Sequence, residues 1–402
     1  MNGSPLGNSL SGITVLDFGQ LIAGPVCGMY LADMGATVIK VEAPGGELGR
    51  KLGPPWVNGE SLTALTSNRG KQGLCIDLKQ PDATDVIRRI VARTDVVIEN
   101  FRPGVMAGLG IDHEALSRVK PDLITCSLSA YGQTGPWRDR PGVDGIVQAA
   151  SGLMSLVGAP GSGPAKVPLP LADMTGALYA TIAILAALRE RDASGIGAHL
   201  DVSLFNCLMM LQQLNLSGFL NTGELPERSG SAAPYAAPNE ALPTRDGWIM
   251  VAAYQSERWE RLCQLIGCPE LAGDPRFATN AGRVAERLAL RAVLKPMFRK
   301  RTSAEWEAIL SAADILAAHV ANLAQMAESD GYLASGAEIE VVHHRAGAYR
   351  TVGFAIGQPP ATPVPPPLLG EHSCALLAGF GFAEAEIADL CARNIVIDGE
   401  AA

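Results

Sequence analysis

No Cys-x-x-Cys pair occurs in this chain of 402 residues, although it holds eight cysteines. Cys263 and Cys268 are the closest two, and their spacing suits neither a zinc site nor a redox pair. The thiols are expected to be reduced and mostly buried, as in a cytosolic protein. There is no basic excess either. Lys plus Arg number 32 against 41 Asp plus Glu, a net charge of −9, which argues against a general nucleic-acid binder. A local basic pocket for a phosphorylated small molecule stays open. Charged residues make up only 18% and hydrophobic residues 48%, which excludes a disordered chain. The longest apolar stretch, Gly176 to Leu188, falls short of the roughly 20 residues that span a bilayer. The polar run Met1 to Gly12 lacks the basic-then-apolar order of a signal peptide. A soluble, cytoplasmic protein with no membrane and no nucleic-acid partner is expected. Motifs are missing as well: there is no GxSxG elbow, HExxH, EF-hand loop or GxxxxGK[ST]. The six histidines form no metal-like cluster, and the adjacent pair His343-His344 would point to opposite faces of a strand. No metal site is expected. Gly158 to Gly163 neither follows a strand nor opens a helix, so it reads as a flexible loop rather than a dinucleotide fingerprint. No internal repeat is found.

What is abundant is glycine: 44 residues of 402, against a typical level of about 7%, so tight turns or close approaches of backbone to ligand are expected. The length points to two domains or one elaborated domain. In the first half, short apolar strands alternate with helices of about 10 residues, which predicts βαβ units and a parallel sheet. Strands are read at Ile13–Phe18, Thr37–Glu42, Gly73–Leu78, Asp95–Glu99 and Leu123–Ser127. Helices are read from Pro25 towards Met34 and over Ala83–Arg93. Ligands usually bind at the C-terminal ends of such strands. The loops to inspect are therefore Pro44-Gly45-Gly46, Asn68 to Lys71, Asn100 to Gly104, and Ala130-Tyr131-Gly132. Helices follow over Gly142–Gly158 and Met174–Arg189, and a strand at His199–Val202. The texture then changes. The Gly/Ser/Pro-rich segment Asn221–Pro238 leads into a strand at Trp248–Ala253 and several helices, a smaller second domain. The expected division is 1–220 for the large domain, 221–330 for the small one and 331–402 for a segment returning to the first. The proline run Pro359–Pro367 reads as an ordered, extended connector, and a final helical hairpin closes the chain.

The most informative segment is Pro168 to Gly176. A proline-bearing extended run brings one carboxylate, Asp173, to the start of an apolar helix. By itself Asp173 reads as an ordinary N-cap. It also reads as a nucleophile, because the free N–H groups and positive end of a helix favour the ionised carboxylate, and an ionised Asp reached by a desolvating ligand can attack an activated acyl group.

The chain resembles the class III CoA-transferase family, also called the CaiB/BaiF family and typified by formyl-CoA:oxalate CoA-transferase and the carnitine CoA-transferases. The resemblance is carried, in order, by Leu16-Asp17-Phe18, Ala23-Gly24-Pro25, Gly35 to Glu42, Asn68-Arg69-Gly70-Lys71, Glu99 to Gly104, Tyr131-Gly132, Ala172-Asp173 and Pro367 to His372. It spans nearly the whole chain. It implies a Rossmann-like large domain, a smaller α+β domain and an interlocked homodimer of ring-like monomers. It also implies a CoA-transferase in which Asp173 is the covalent nucleophile, acting through an aspartyl anhydride and an aspartyl-CoA thioester. Acyl-CoA and a small carboxylic acid are the substrates, and no cofactor is tightly bound. Arg69 and Lys71 are expected to face the CoA phosphates, with Asn68, Asn100, Phe101 and Arg102 along the CoA tail. Tyr131 and Gly132 are placed near the pantetheine, and Ala23 is also read as a CoA-binding residue. Two basic positions of the formyl-CoA enzyme appear here as Ala43 and Gly108, with Arg50 the expected compensation. A glutamine before its Ala-Gly-Pro element appears as Ile22, with Gln20 two residues earlier. Ser229-Gly230-Ser231 is the nearest candidate for the oxyanion loop. The donor is read as succinyl-CoA and the acceptor as a dicarboxylic acid, though no residue fixes that pair. The rival readings are an α-methylacyl-CoA racemase and a CoA-binding protein without turnover. A racemase carries a His where this chain has Val143, in Gly142-Val143-Asp144, and valine cannot move a proton.

Overall fold

The computed structural model describes residues 6–356 and 363–399. The part of the proline run at 359–362 lies outside them. The chain divides into two compact units. Met1–Leu153, Lys166–Gly223 and Leu333–Ala402 form the first, and Met154–Ala165 with Glu224–Tyr332 the second.

In the first unit the elements run β1 (Thr14–Asp17), α1 (Ala23–Asp33), β2 (Thr37–Glu42), β3 (Lys71–Ile76), α2 (Ala83–Val91), β4 (Val96–Glu99) and β5 (Ile124–Ser129). They continue through α3 (Asp144–Ala150), α4 (Leu171–Ser194), β6 (Ala198–Ser203), α5 (Leu204–Leu211) and α6 (Gln213–Thr222). The predicted single helix over Gly142–Gly158 ends at Ala150, because Gly152 sits in the left-handed region at φ +82°. The second unit holds an antiparallel sheet of β7 (Asn239–Pro243), β8 (Trp248–Ala252) and β9 (Leu316–His319), with helices around a core that includes Trp259, Phe277, Phe298 and Trp306. Back in the first unit, β10 (Glu338–His343) pairs with β11 (Gly347–Val352), and β12 (Val396–Ile397) closes the chain.

The large sheet has the order β12-β3-β2-β1-β4-β5-β6. All neighbours are parallel except β12, which pairs antiparallel with β3 at the edge. From β1 the chain first builds outward through β2 and β3, then crosses to β4 on the other side. The point between β1 and β4 is thus the topological switch, where ligands settle in such sheets. Alternation along each strand sends Val15, Val38, Val96, Ile98 and Ile124 to one apolar layer and Leu16, Ile39, Leu74 and Val97 to the other. Burial on both faces explains why these strands read as continuous apolar runs.

Helix α4 is long and apolar enough, by length and composition, to cross a membrane. In the fold it buries Ala172, Ala177, Ala180, Ile184 and Leu188 in the layer shared with α1. A helix packed on a core needs that composition for the same reason a bilayer does, namely apolar surface on the packed side.

Candidate active site

Asp173 stands in the first turn of α4, but not as its cap. Pro168 and Pro170 hold the approach extended; Pro170 is the N-cap residue, so Asp173 is the third residue of the helix. The N-cap reading is corrected on that ground. The carboxylate that caps comes from α3. Asp144 Oδ2 accepts the Ala172 N–H at 2.7 Å, and its Oδ1 accepts Gln148 Nε2 at 2.7 Å. Asp144 therefore does for α4 what an N-cap side chain does, across 28 residues of chain. The Asp173 carboxyl accepts no hydrogen bond from any described residue and is half-buried, open on one side. Burial, and after it the negative charge of Asp144, pushes its pKa up to about 7, while Lys166 pulls the other way. The expectation that the helix start keeps this group ionised is thereby reversed. Desolvation and a like charge outweigh a dipole worth at most about 1–2 kcal/mol.

The loops at the switch point are held by side chains the sequence put forward for CoA. Asn100 clamps the loop after β1: its Oδ1 accepts the Gln20 N–H at 2.7 Å and its Nδ2 donates to the Gln20 carbonyl at 2.9 Å. Glu47 accepts the Leu21 N–H at 2.9 Å, and Leu21 is held at φ +64°. Ala23, buried, then opens α1. A Cβ added to Gly24 would lie 2.8 Å from Gly19 Cα, so the loop and the helix meet only because both positions are glycine. Phe101 packs against the apolar layer beneath β4. Arg102 is exposed and makes no ion pair among the described residues. It lines a cavity of about 290 Å³ with Ser127, Gln133, Arg138 and His199. Tyr131 stacks edge-on against Trp137, with ring centroids 5.4 Å apart. Gly132 sits at φ +94° and its N–H donates to Ser129 Oγ.

Asn68, Arg69 and Lys71 face inward instead. Lys71 is buried, with Nζ 2.7 Å from Asp17 Oδ2, 2.7 Å from the Pro25 carbonyl and 2.8 Å from Asn68 Oδ1. Burial lowers its pKa to about 8 against the pull of Asp17. For Asp17 burial acts upward, but Lys40 and Lys71 together hold its pKa below the ordinary value. Arg69 is buried on Asp33, 2.5 Å away, and Arg50 forks onto Glu42 through two 2.7 Å bonds. Arg69, Lys71 and Arg50 thus each spend their charge on an internal carboxylate, Asp33, Asp17 and Glu42 respectively. In the second unit the Gly230 N–H donates to the Gly158 carbonyl at 3.0 Å, Ser229 Oγ donates to the Ala232 carbonyl in a turn, and Ser231 Oγ accepts the Ala241 N–H. The amide offered for an oxyanion is thus already engaged. Among the described residues, no three His, Cys, Asp or Glu side chains converge as a metal would need.

A half-buried carboxyl with no hydrogen-bond partner among the described residues, in the first turn of a helix, suits nucleophilic attack on an acyl group. Known proteins agree on the class. The model of CoA-transferase family III matches residues 10–373. The chain belongs to that family. A succinate–glutarate CoA-transferase of Agrobacterium fabrum is 41% identical over 71% of this chain and 73% of its own. A succinyl-CoA–D-citramalate CoA-transferase of Chloroflexus aurantiacus is 31% identical over 96% and 98%. The crystal structure of a CaiB/BaiF family protein from Brucella suis superposes with a TM-score of 0.82 at 35% identity, covering 93% of this chain and all of that one.

This CoA-transferase works on CoA thioesters. Val143 is the N-cap residue of α3 and has no proton to exchange, so the position a racemase would fill with histidine is inert here. Sequence reasoning passed over Asp144 and Gln148 as functional residues. Their four-residue spacing on one helix face was the available signal, but nothing local tells that the pair reaches α4.

Proposed function

We propose that this CoA-transferase moves CoA between dicarboxylic acids, with succinyl-CoA as donor and a dicarboxylate of about glutarate length as acceptor. The names of the relatives support that choice. Asp173 is the nucleophile. Its Oδ attacks the thioester carbonyl carbon, the C–S bond breaks, and an aspartyl-acyl anhydride and CoA thiolate result. The thiolate then attacks the Asp173 Cγ, releasing the donor carboxylate and leaving an aspartyl-CoA thioester. The acceptor carboxylate runs the two steps in reverse. The overall exchange trades one CoA thioester for another, with the anhydrides as the high-energy species between them, and the nucleophiles are the Asp173 carboxylate, the CoA thiolate and the acceptor carboxylate, so neither a tightly bound cofactor nor a metal is required. The observation that carries this reading is the open, unpartnered Asp173 carboxyl in a chain of this family. CoA lies over the switch-point loops, with Ala23, Asn100 and Phe101 shaping the path. Arg102, exposed and without an ion pair among the described residues, is free to meet a phosphate, and Tyr131 and Gly132 border the pantetheine. Asn68, Arg69 and Lys71 hold the loops from beneath.

The protein acts as a cytoplasmic homodimer. Leu178 and Ile182 on α4, and Met210, Leu211, Leu214 and Leu220 on α5 and α6, are half or more exposed, and an apolar surface of that kind favours cover by a second copy. Sedimentation as a monomer at micromolar concentration overturns the dimer. The nucleophile is tested by incubating the enzyme with succinyl-CoA and hydroxylamine. Mass spectrometry is expected to find the hydroxamate on Asp173. No label on any residue rejects the mechanism and leaves the CoA-binding reading without turnover, whereas label on another carboxylate alone rejects Asp173 as the nucleophile.

A further inference from the structure

We infer that Gln148 and Asp144 form a positioning brace that sets the attack angle of Asp173. The inference rests on Asp173 as the nucleophile. Gln148 has no exposed surface, and both ends of its amide are used. Nε2 donates to Asp144 Oδ1 at 2.7 Å and lies 3.3 and 3.2 Å from the Val167 and Leu169 carbonyls. Its Oε1 accepts the Val167 N–H at 3.0 Å. One side chain thus ties helix α3 to the extended strap that leads into α4. Asp144 ties the same helix to the first turn of α4 through the Ala172 N–H. Ala172 and Asp173 are adjacent, so the brace reaches the nucleophile by two routes: from the strap before it and from the amide beside it.

A buried network with every member paired is stiff, and losing one member leaves polar atoms orphaned. Stiffness matters here because Asp173 has no hydrogen bond of its own to aim it. Its direction is inherited from the backbone, and misplacement by about 1 Å can cost on the order of 100-fold in rate. The brace also carries charge. The charges acting on Asp173 are Asp144 from α3 and Lys166 from the strap, the first raising its pKa and the second lowering it. A more basic carboxylate is a stronger nucleophile once ionised, so Asp144 trades ionised fraction at low pH for reactivity at high pH.

Two variants separate the roles. Single-turnover formation of the Asp173 hydroxamate is followed from pH 5 to pH 9 with saturating succinyl-CoA. Gln148→Leu removes the ties and keeps the Asp144 charge. It is expected to slow trapping at least tenfold, with the acid limb unmoved and KM for succinyl-CoA within twofold. Asp144→Asn removes the charge and keeps an acceptor for the Ala172 N–H, but its NH2 then faces the Gln148 Nε2 donor and that tie is lost too, so its readout is the acid limb, which Gln148→Leu leaves in place. It is expected to move the acid limb down by at least half a pH unit. A folded Gln148→Leu enzyme that traps within twofold of the wild-type rate overturns the brace. If that variant does not fold, an Asp144→Asn enzyme with an unmoved acid limb overturns it instead. Labelling of another residue in the wild-type enzyme condemns the nucleophile assignment and not the brace alone, so the two failures are told apart.

Discussion

Replacing Asp173 with asparagine is expected to make the protein inactive and more stable at the same time. The carboxyl has an ordinary pKa near 3.8 in the unfolded chain and one pushed up to about 7 in the fold, by burial first and by Asp144 second. Between those values the folded state binds a proton that the unfolded state has lost. Stability from this group is therefore fully present below pH 3.8 and is lost as pH rises through about 7. Above pH 7 the ionised group opposes folding. At about 1.36 kcal/mol per pKa unit the ceiling is about 4 kcal/mol. Solvent on the open side screens part of it, and about 2 kcal/mol is the expected gain on removing the charge. The asparagine amide has the same shape as the carboxylate and no charge, so the variant recovers about that amount at pH 8 and only a few tenths of a kcal/mol at pH 4. Urea unfolding of both proteins at one concentration, at pH 8 and pH 4, reads the difference. The same pKa sets the wild-type rate. Hydroxamate formation is expected to fall about fivefold between pH 7 and pH 6, where a carboxylate with an ordinary pKa would show no change. A variant no more stable than wild type at pH 8, or a flat rate between pH 6 and pH 8, refutes the strained carboxyl.

Other changes test the remaining assignments. Lys71→Met breaks a buried ion pair and leaves Asp17 only the charge of Lys40 and the Gly19 N–H, so a loss of about 3 kcal/mol in urea unfolding is expected; a loss below about 1 kcal/mol, with a raised KM for succinyl-CoA, would return Lys71 to the phosphates. Arg102→Ala is expected to raise KM for succinyl-CoA at least fivefold in initial-rate assays, with the effect shrinking as salt is added and with stability within about 0.5 kcal/mol. Gly132→Ala forces a side chain into φ +94° beside the Asp201 carboxylate and is expected to cost about 1–2 kcal/mol by thermal unfolding. Ile182→Asp with Leu214→Asp is expected to convert the sedimenting species from dimer to monomer.

Much of the fold was legible from local pattern. Five of the parallel strands of the first half, α1 and α2 lie within a few residues of where apolar runs, Pro25 and the helical spacing of Ala83–Arg93 place them. The edge strand β12 was missed, because two residues at the end of a chain carry no period. For the proposed site, what the sequence offered for Asp173 was its proline-flanked lead into an apolar helix and the family's ordered motifs. The loop Asn100 to Arg102 was legible as the turn after a strand.

The residues by themselves determined the alternation of strand and helix and the family, because each is written in runs of neighbouring side chains. Only the tertiary structure decided which charges face the ligand. Lys71 meets Asp17 across 54 residues and Arg69 meets Asp33 across 36, so two cations that read as phosphate ligands are held inside. It likewise decided that Asp144 caps a helix 28 residues on and raises the pKa of the carboxyl beside it. Ion pairs and desolvation depend on what the folded chain brings within a few ångströms, and at such separations sequence order says nothing about that distance.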